Sequence, residues 1–182
     1  YGTIFDNTFS LNIAQHAPDP PVWEWPEHYG ATGDQVAMVW GLIHKNAHFW
    51  EFLDPLTTAL SDLYALDYLR SKGHEIYFLT NRVGKDVKGQ TWRWLKKHGY
   101  SDPTILITAD VPGAKASICH GLGVDIIVDD KPDNLENLPR ATNGYMKRCA
   151  HNEQQALALV AYVDKVSEAL LKEGLVDERF TR

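Results

Sequence analysis

Residues 75–130 read EIYFLTNRVGKDVKGQTWRWLKKHGYSDPTILITADVPGAKASICHGLGVDIIVDD. Three short apolar runs stand out: Glu75–Leu79 ending at Thr80, Thr104–Ile107, and Val124–Val128 ending at Asp129-Asp130. Between them lie stretches of helical spacing, one near residues 85–98 closed by Gly99 and one near residues 114–120. Strands alternating with helices specify βαβ units, and βαβ units specify a mostly parallel sheet covered by helices on both faces. The fold class read here is therefore α/β, a doubly wound, Rossmann-like sheet.

Working outward, a helix near residues 57–71 closed by Gly73 precedes this block, and a strand near residues 145–148 and a long helix near residues 152–173 follow it. In that last helix Leu159, Val163, Val166 and Leu170 share one face. At the other end, Tyr1–Phe5 is a β-branched and aromatic run that reads as a strand ending at Asp6. Residues 10–33 hold four of the nine prolines and no helical period, an irregular excursion. Asp34 can then cap a helix carrying Val36, Val39, Trp40, Ile43 and Phe49, which ends before Asp54-Pro55. The expected division is an α/β core of residues 1–9 and 56–182 with a small, mostly helical insertion at residues 10–55 after the first strand.

Composition narrows the function classes. With 182 residues and 44% apolar content the chain can bury an ordinary core, which excludes a disordered protein. Eighteen basic against 24 acidic residues give a net charge of −6 and no basic block, which argues against long nucleic acid as a partner. A small phosphorylated ligand needs no net positive charge, since one lysine, one helix N-terminus or one metal ion can hold it. Cys119 and Cys149 form no paired motif and read as buried, inert thiols of a reducing compartment. No apolar window approaches a membrane span, and the expected location is cytoplasmic. The chain opens on Tyr1 rather than Met, which suggests further residues upstream.

In an open parallel sheet, ligands bind at the carboxyl ends of the strands. Asp6, Thr80-Asn81 and Asp129-Asp130 end three of the apolar runs, and Lys115 lies between the second and third of these. Carboxylates with a hydroxyl and a lysine suit a divalent metal and a phosphoryl group, because the acids hold the ion while hydroxyl and ammonium bind oxygens. Adjacent aspartates carry most weight, since two like charges side by side are costly without a compensating cation or donor. Residues 23–50 hold four of the six tryptophans. Trp23, Trp25 and Trp50 could stack a nucleobase, or such aromatics could fill the insertion's own core.

The order of these motifs resembles the haloacid dehalogenase superfamily, a large group dominated by phosphatases: an acid-ended strand, Tyr77-Phe-Leu-Thr80-Asn81-Arg82, Pro112-Gly-Ala-Lys115, then Ile126-Ile-Val-Asp129-Asp130-Lys-Pro. The resemblance covers Tyr1 to about Ala150. Bacterial receiver domains share an acid pair, Thr and Lys, but there the acid pair comes first. The resemblance implies that Thr80, with Asn81, binds phosphoryl oxygens, that Lys115 neutralises nucleophile and phosphate, that Asp129 or Asp130 ligates Mg²⁺, and that Arg82 contacts substrate. Within the superfamily the chain looks most like 5′(3′)-deoxyribonucleotidases and related phage-type phosphatases, in which the insertion caps the site. The implied activity is Mg²⁺-dependent hydrolysis of a phosphate monoester through an aspartyl-phosphate, with a nucleoside monophosphate as the expected substrate.

The first motif departs from the pattern D-x-D-x-T. Three alignments remain open: the nucleophile lies upstream of Tyr1, or Asp6 is the second acid with Ile4 in the nucleophile's place, or Asp6 is the nucleophile with Thr8 in the second position. Two of the three place Asp6 in the site, as catalytic acid and metal ligand. The competing readings are a catalytically impaired relative that binds a nucleotide or a protein, and a metal-independent 2-haloacid dehalogenase, against which the acid pair argues.

Overall fold

A computed structural model describes residues 2–11, 25–108, 111–152 and 160–181. Its helices are α1 (Gly2–Phe9), α2 (Trp25–His28), α3 (Gly33–Lys45), α4 (Ala59–Ser71), α5 (Val87–Lys97), α6 (Ala114–Leu122) and α7 (Val166–Lys172). Its strands are β1 (Tyr77–Thr80), β2 (Thr104–Ile107), β3 (Ile126–Asp129), β4 (Asn143–Lys147) and β5 (Ala161–Val163). All pairings among them are parallel: β1 with β2, and β3 with β4 with β5. The chain is thus an α/β protein of the doubly wound kind, with its strands in a two-stranded and a three-stranded sheet.

Local chemistry sets the element ends. The Asp86 carboxylate caps α5 by accepting the Gly89 N–H at 3.2 Å, and a Cβ at position 89 would run into that carboxylate. Helix α6 ends at Gly123, whose φ of +64° is the left-handed turn that glycine adopts without steric cost. Helix α3 starts with a capping box: Thr32 accepts the Gln35 N–H and the Gln35 side chain accepts the Thr32 N–H. Thr32, not Asp34, is the cap, and the helix stops at Lys45, so Phe49 lies in the following turn.

The two sheets are joined through helices. Leu63 of α4, Leu95 of α5, Tyr100 and Ile105 of β2 form one buried cluster. Ala65 and Leu69 of α4 form another with Leu170 of α7 and Val176. The buried Asp62 carboxylate of α4 accepts the Ser167 N–H of α7 at 3.0 Å. Helix α7 in turn packs Ala169 against Tyr145 and Val163 of the second sheet, and α6 packs Cys119 against Ile127 and Met146.

Two further segments differ from the pattern expected of their sequence. Residues 2–9 form helix α1, not a strand ending at Asp6. Ile4 and Phe9 bury themselves against the cluster of Ala31, Val39 and Ile43 around α3, and β-propensity yields to that packing. No strand therefore precedes α3 among the described residues. The long C-terminal helix is also interrupted: Ala161–Val163 pairs with β4 instead, and of the described residues 160–173 only Val166–Lys172 are helical. Val163 is buried as a strand residue, and Leu159 lies outside the described residues. An open edge on β4 offers a backbone ladder that a helical spacing of apolar residues does not reveal. No helix among the described residues is long and apolar enough to cross a membrane.

Tyr100, 1% exposed, packs edge-on against Phe78 with ring centroids 4.9 Å apart, and its hydroxyl has no partner among the described residues. Burial pushes its pKa up to about 12. The unfolded chain therefore loses this proton near pH 10 while the folded chain keeps it, so stability falls between pH 10 and 12 by ~2 kcal/mol from this residue. Tyr100→Phe keeps the ring contact and is expected to flatten that alkaline loss in urea unfolding measured from pH 8 to 11.5. An unchanged pH slope would show that the hydroxyl is not what titrates.

Candidate functional site

The carboxyl end of β3 is the most elaborated polar cluster among the described residues. Asp129 is the last residue of the strand and is buried. Its Oδ2 accepts the Lys115 Nζ at 2.5 Å, and its Oδ1 accepts the Lys131 N–H at 2.9 Å and the Asn134 Nδ2 at 2.8 Å. Lys115 stands in the first turn of α6, which starts after Gly113, and its side chain is only 11% exposed. A buried carboxylate is tolerated here because three donors, one of them cationic, converge on it.

Asp130 follows at the mouth of the strand. Its main-chain carbonyl accepts the Asn152 Nδ2 at 2.8 Å, and its carboxylate lies 3.9 Å from the His151 Nε2. Desolvation at the strand end, and then the negative charge of Asp129, raise the Asp130 carboxyl above the usual carboxylate range. A divalent cation would relieve that cost. Two hard oxygen donors at one strand end fit Mg²⁺.

The second region lies at the end of β1. Thr80 ends that strand, its Oγ1 accepts the Arg82 N–H at 3.2 Å, and its carbonyl accepts the Thr108 N–H at 2.8 Å. Asn81, half-buried, follows it. The Arg82 guanidinium lies over the Trp50 ring, 4.9 Å from its centroid. Trp50 is also pinned at its edge, since its indole N–H donates to the Val83 carbonyl at 3.0 Å and its main-chain N–H to the Gln90 Oε1 at 2.7 Å. Gln90 is wholly buried and its Nε2 donates to the Lys85 carbonyl at 2.6 Å. Helix α5 also supplies Trp94, whose indole donates to the Leu53 carbonyl at 2.7 Å, and Arg93, which pairs with Glu51. These side chains clamp residues 50–53 onto the β1–α5 loop.

Of the residues singled out from sequence, Lys115 and Asp129 are brought into contact, with Asp130 adjacent. Thr80 and Asp129 end strands of different sheets. Asp6 is on α1, which packs with α3, and not at a strand end. Trp23 lies outside the described residues, and Trp25 opens α2. Trp50 carries Arg82 on its ring and fastens the 50–53 segment, so it is an anchor as well as an aromatic surface. Cys119 is buried and its thiol is pushed up by burial, as expected of an inert cysteine. Cys149 is half-buried rather than buried, and its Sγ lies near Asp130 and His151. Sequence reasoning missed Asn134, Asn152 and His151. Asn134 had a signal, a carboxamide five residues past a strand-end acid; Asn152 and His151 had none.

No protein-family profile matches the chain. The chain is similar to a Bacillus cereus protein named "Putative nucleotidase", at 24% identity over 151 residues, which is 81% of this chain and 76% of that protein.

The Lys115–Asp129 pair gives the lysine structural weight that the sequence did not suggest. Lys115→Ala leaves a buried carboxylate without its cation and is expected to cost about 3–5 kcal/mol in urea unfolding. Removing both charges in Lys115→Met/Asp129→Asn should recover much of that loss. If the double variant is no more stable than the single one, the pair is not what stabilises this end of β3.

Proposed function

We propose that the chain is a phosphomonoesterase acting on a small phosphorylated substrate, a nucleoside monophosphate in the first instance, with Mg²⁺ as its cofactor. The observation that carries this reading is the buried Lys115–Asp129 pair with the carboxylate of Asp130 beside it, which sets two acids and a lysine at one strand end. Asp129 and Asp130 would hold the ion. Bound there, Mg²⁺ would supply positive charge against the phosphoryl oxygens. Lys115 adds a second positive charge at the same edge, and Thr80 and Asn81, at the end of β1, are assigned to the phosphoryl oxygens. Arg82, held over Trp50, offers a cation and an aromatic edge to the rest of the substrate.

The relative's name supports a nucleotide as substrate. Likeness to the haloacid dehalogenase superfamily rests on motif order, and the cap role of the helices around α3 belongs to the same reading. Hydrolysis through an aspartyl-phosphate requires an attacking carboxylate. Asp6 is assigned to it on sequence order alone, and its place on α1 lends that assignment no support. That same helix favours a second reading, a relative that binds the phosphorylated compound without turning it over.

The test is hydrolysis of a set of nucleoside monophosphates and sugar phosphates with Mg²⁺ and with EDTA. Mg²⁺-dependent turnover that prefers nucleotides is expected, and Asp130→Asn should lower it by about 10²-fold or more. Nucleotide binding without turnover would establish the second reading. Turnover that persists in EDTA would contradict the metal assignment.

A further inference from the structure

Asp130, Cys149 and His151 each direct one ligand-type atom into the same small volume, and the three atoms lie within 4.8 Å of one another. All three residues are half-buried. Nothing in the hydrolysis proposed above uses Cys149 or His151.

Their placement is not left to the side chains themselves. Asn152, with no exposed surface, accepts the Cys149 N–H at 3.0 Å and donates to the carbonyls of Asp130 at 2.8 Å and Lys147 at 2.8 Å. One buried carboxamide thus ties the turn after β4 to the end of β3. The backbone that carries Cys149 and His151 is held against the backbone that carries Asp130. Support of this kind, behind the ligating atoms, is what gives a metal site its geometry.

We propose that Asp130, Cys149 and His151 form a site for Zn²⁺ or a similar transition-metal ion. The donor set decides the metal: thiolate and imidazole suit Zn²⁺, whereas Mg²⁺ takes oxygen donors in octahedral array. Donors around a tetrahedral Zn²⁺ are separated by about 3.5 Å, given bond lengths of about 2.0–2.3 Å. Closing from the observed spacing needs a shift of about 1 Å, within reach of side-chain rotation. Three protein ligands leave a fourth position for water. On binding, Cys149 gives its proton to solvent and ligates as thiolate, and His151 ligates as neutral imidazole.

The site has a consequence that rests on the phosphatase reading. Asp130 is shared, so a Zn²⁺ ion that recruits it to Cys149 and His151 removes it from Mg²⁺. Zn²⁺ would then inhibit Mg²⁺-supported turnover through a site built outside the phosphoryl-binding residues.

Cobalt titration of the metal-free, reduced full chain tests the site directly. One equivalent of Co²⁺ should produce a thiolate-to-cobalt absorption in the near ultraviolet, and Zn²⁺ should displace it. Cys149→Ser should lose the band, His151→Gln should weaken binding by about 10-fold or more, and Cys119→Ser should behave as wild type. Circular dichroism checks that each variant is folded. No band in the wild type, a band that survives Cys149→Ser, or one lost only in Cys119→Ser would overturn the site. In the hydrolysis assay, Cys149→Ser should keep its Mg²⁺-supported rate and lose inhibition by Zn²⁺; equal inhibition in both proteins would overturn the shared-ligand mechanism. A chain without any turnover speaks against the phosphatase reading, and the cobalt spectrum then decides the metal site alone.

Discussion

The carboxylate of Asp129 is buried at the end of a strand, and a buried negative charge must be met by donors or it destabilises the fold. Three elements converge to meet it: α6 sends Lys115, the turn after β3 turns its Lys131 N–H inward, and Asn134 adds its carboxamide. This single requirement fixes the relation between α6, β3 and the Pro132–Asn134 turn. It also leaves Asp130, the next residue, half-buried beside a like charge, and desolvation and that charge raise its carboxyl above the usual range. The electrostatics around Asp130 and the local stability of the sheet end therefore come from the same carboxylate.

A second polar constraint operates at the other sheet. Gln90 is buried among backbone groups of the 46–50 and 85 regions, and it satisfies them while Trp94 and Arg93 of the same helix hold Leu53 and Glu51. Helix α5 thereby fixes where the segment leading from the α3 cluster meets the end of β1. Trp50 and Arg82 face each other because of that clamp. Whatever enters at the end of β1 meets a guanidinium stacked on indole rather than two independent side chains.

The α/β alternation was legible because strands β1, β2 and β3 are short apolar runs bounded by turn residues, and Thr104–Ile107 is found as read. Lys115 and the acid pair were legible because both lie at predictable ends of such elements. The N-terminal run was misread because Ile4 suits a strand's composition as well as one face of a helix, and only α3, many residues later, supplies the surface that decides. The C-terminal helix was misread because Val163 fits a helical period and a strand, and an unpaired edge on β4 selects the strand. The Asn152 clamp, and with it the approach of Cys149 and His151 to Asp130, depends on contacts across 22 residues of chain that no local pattern encodes.

A cation site at the end of β3 would bind Mg²⁺ through Asp130. Calorimetric titration of Mg²⁺ into the wild-type chain and into Asp130→Asn, both confirmed as folded, is the most direct measurement. Saturable binding is expected in the wild type, with its loss, or a weakening of about 10-fold or more, in the variant. Equal Mg²⁺ affinity in the two proteins would show that the end of β3 is not a cation site.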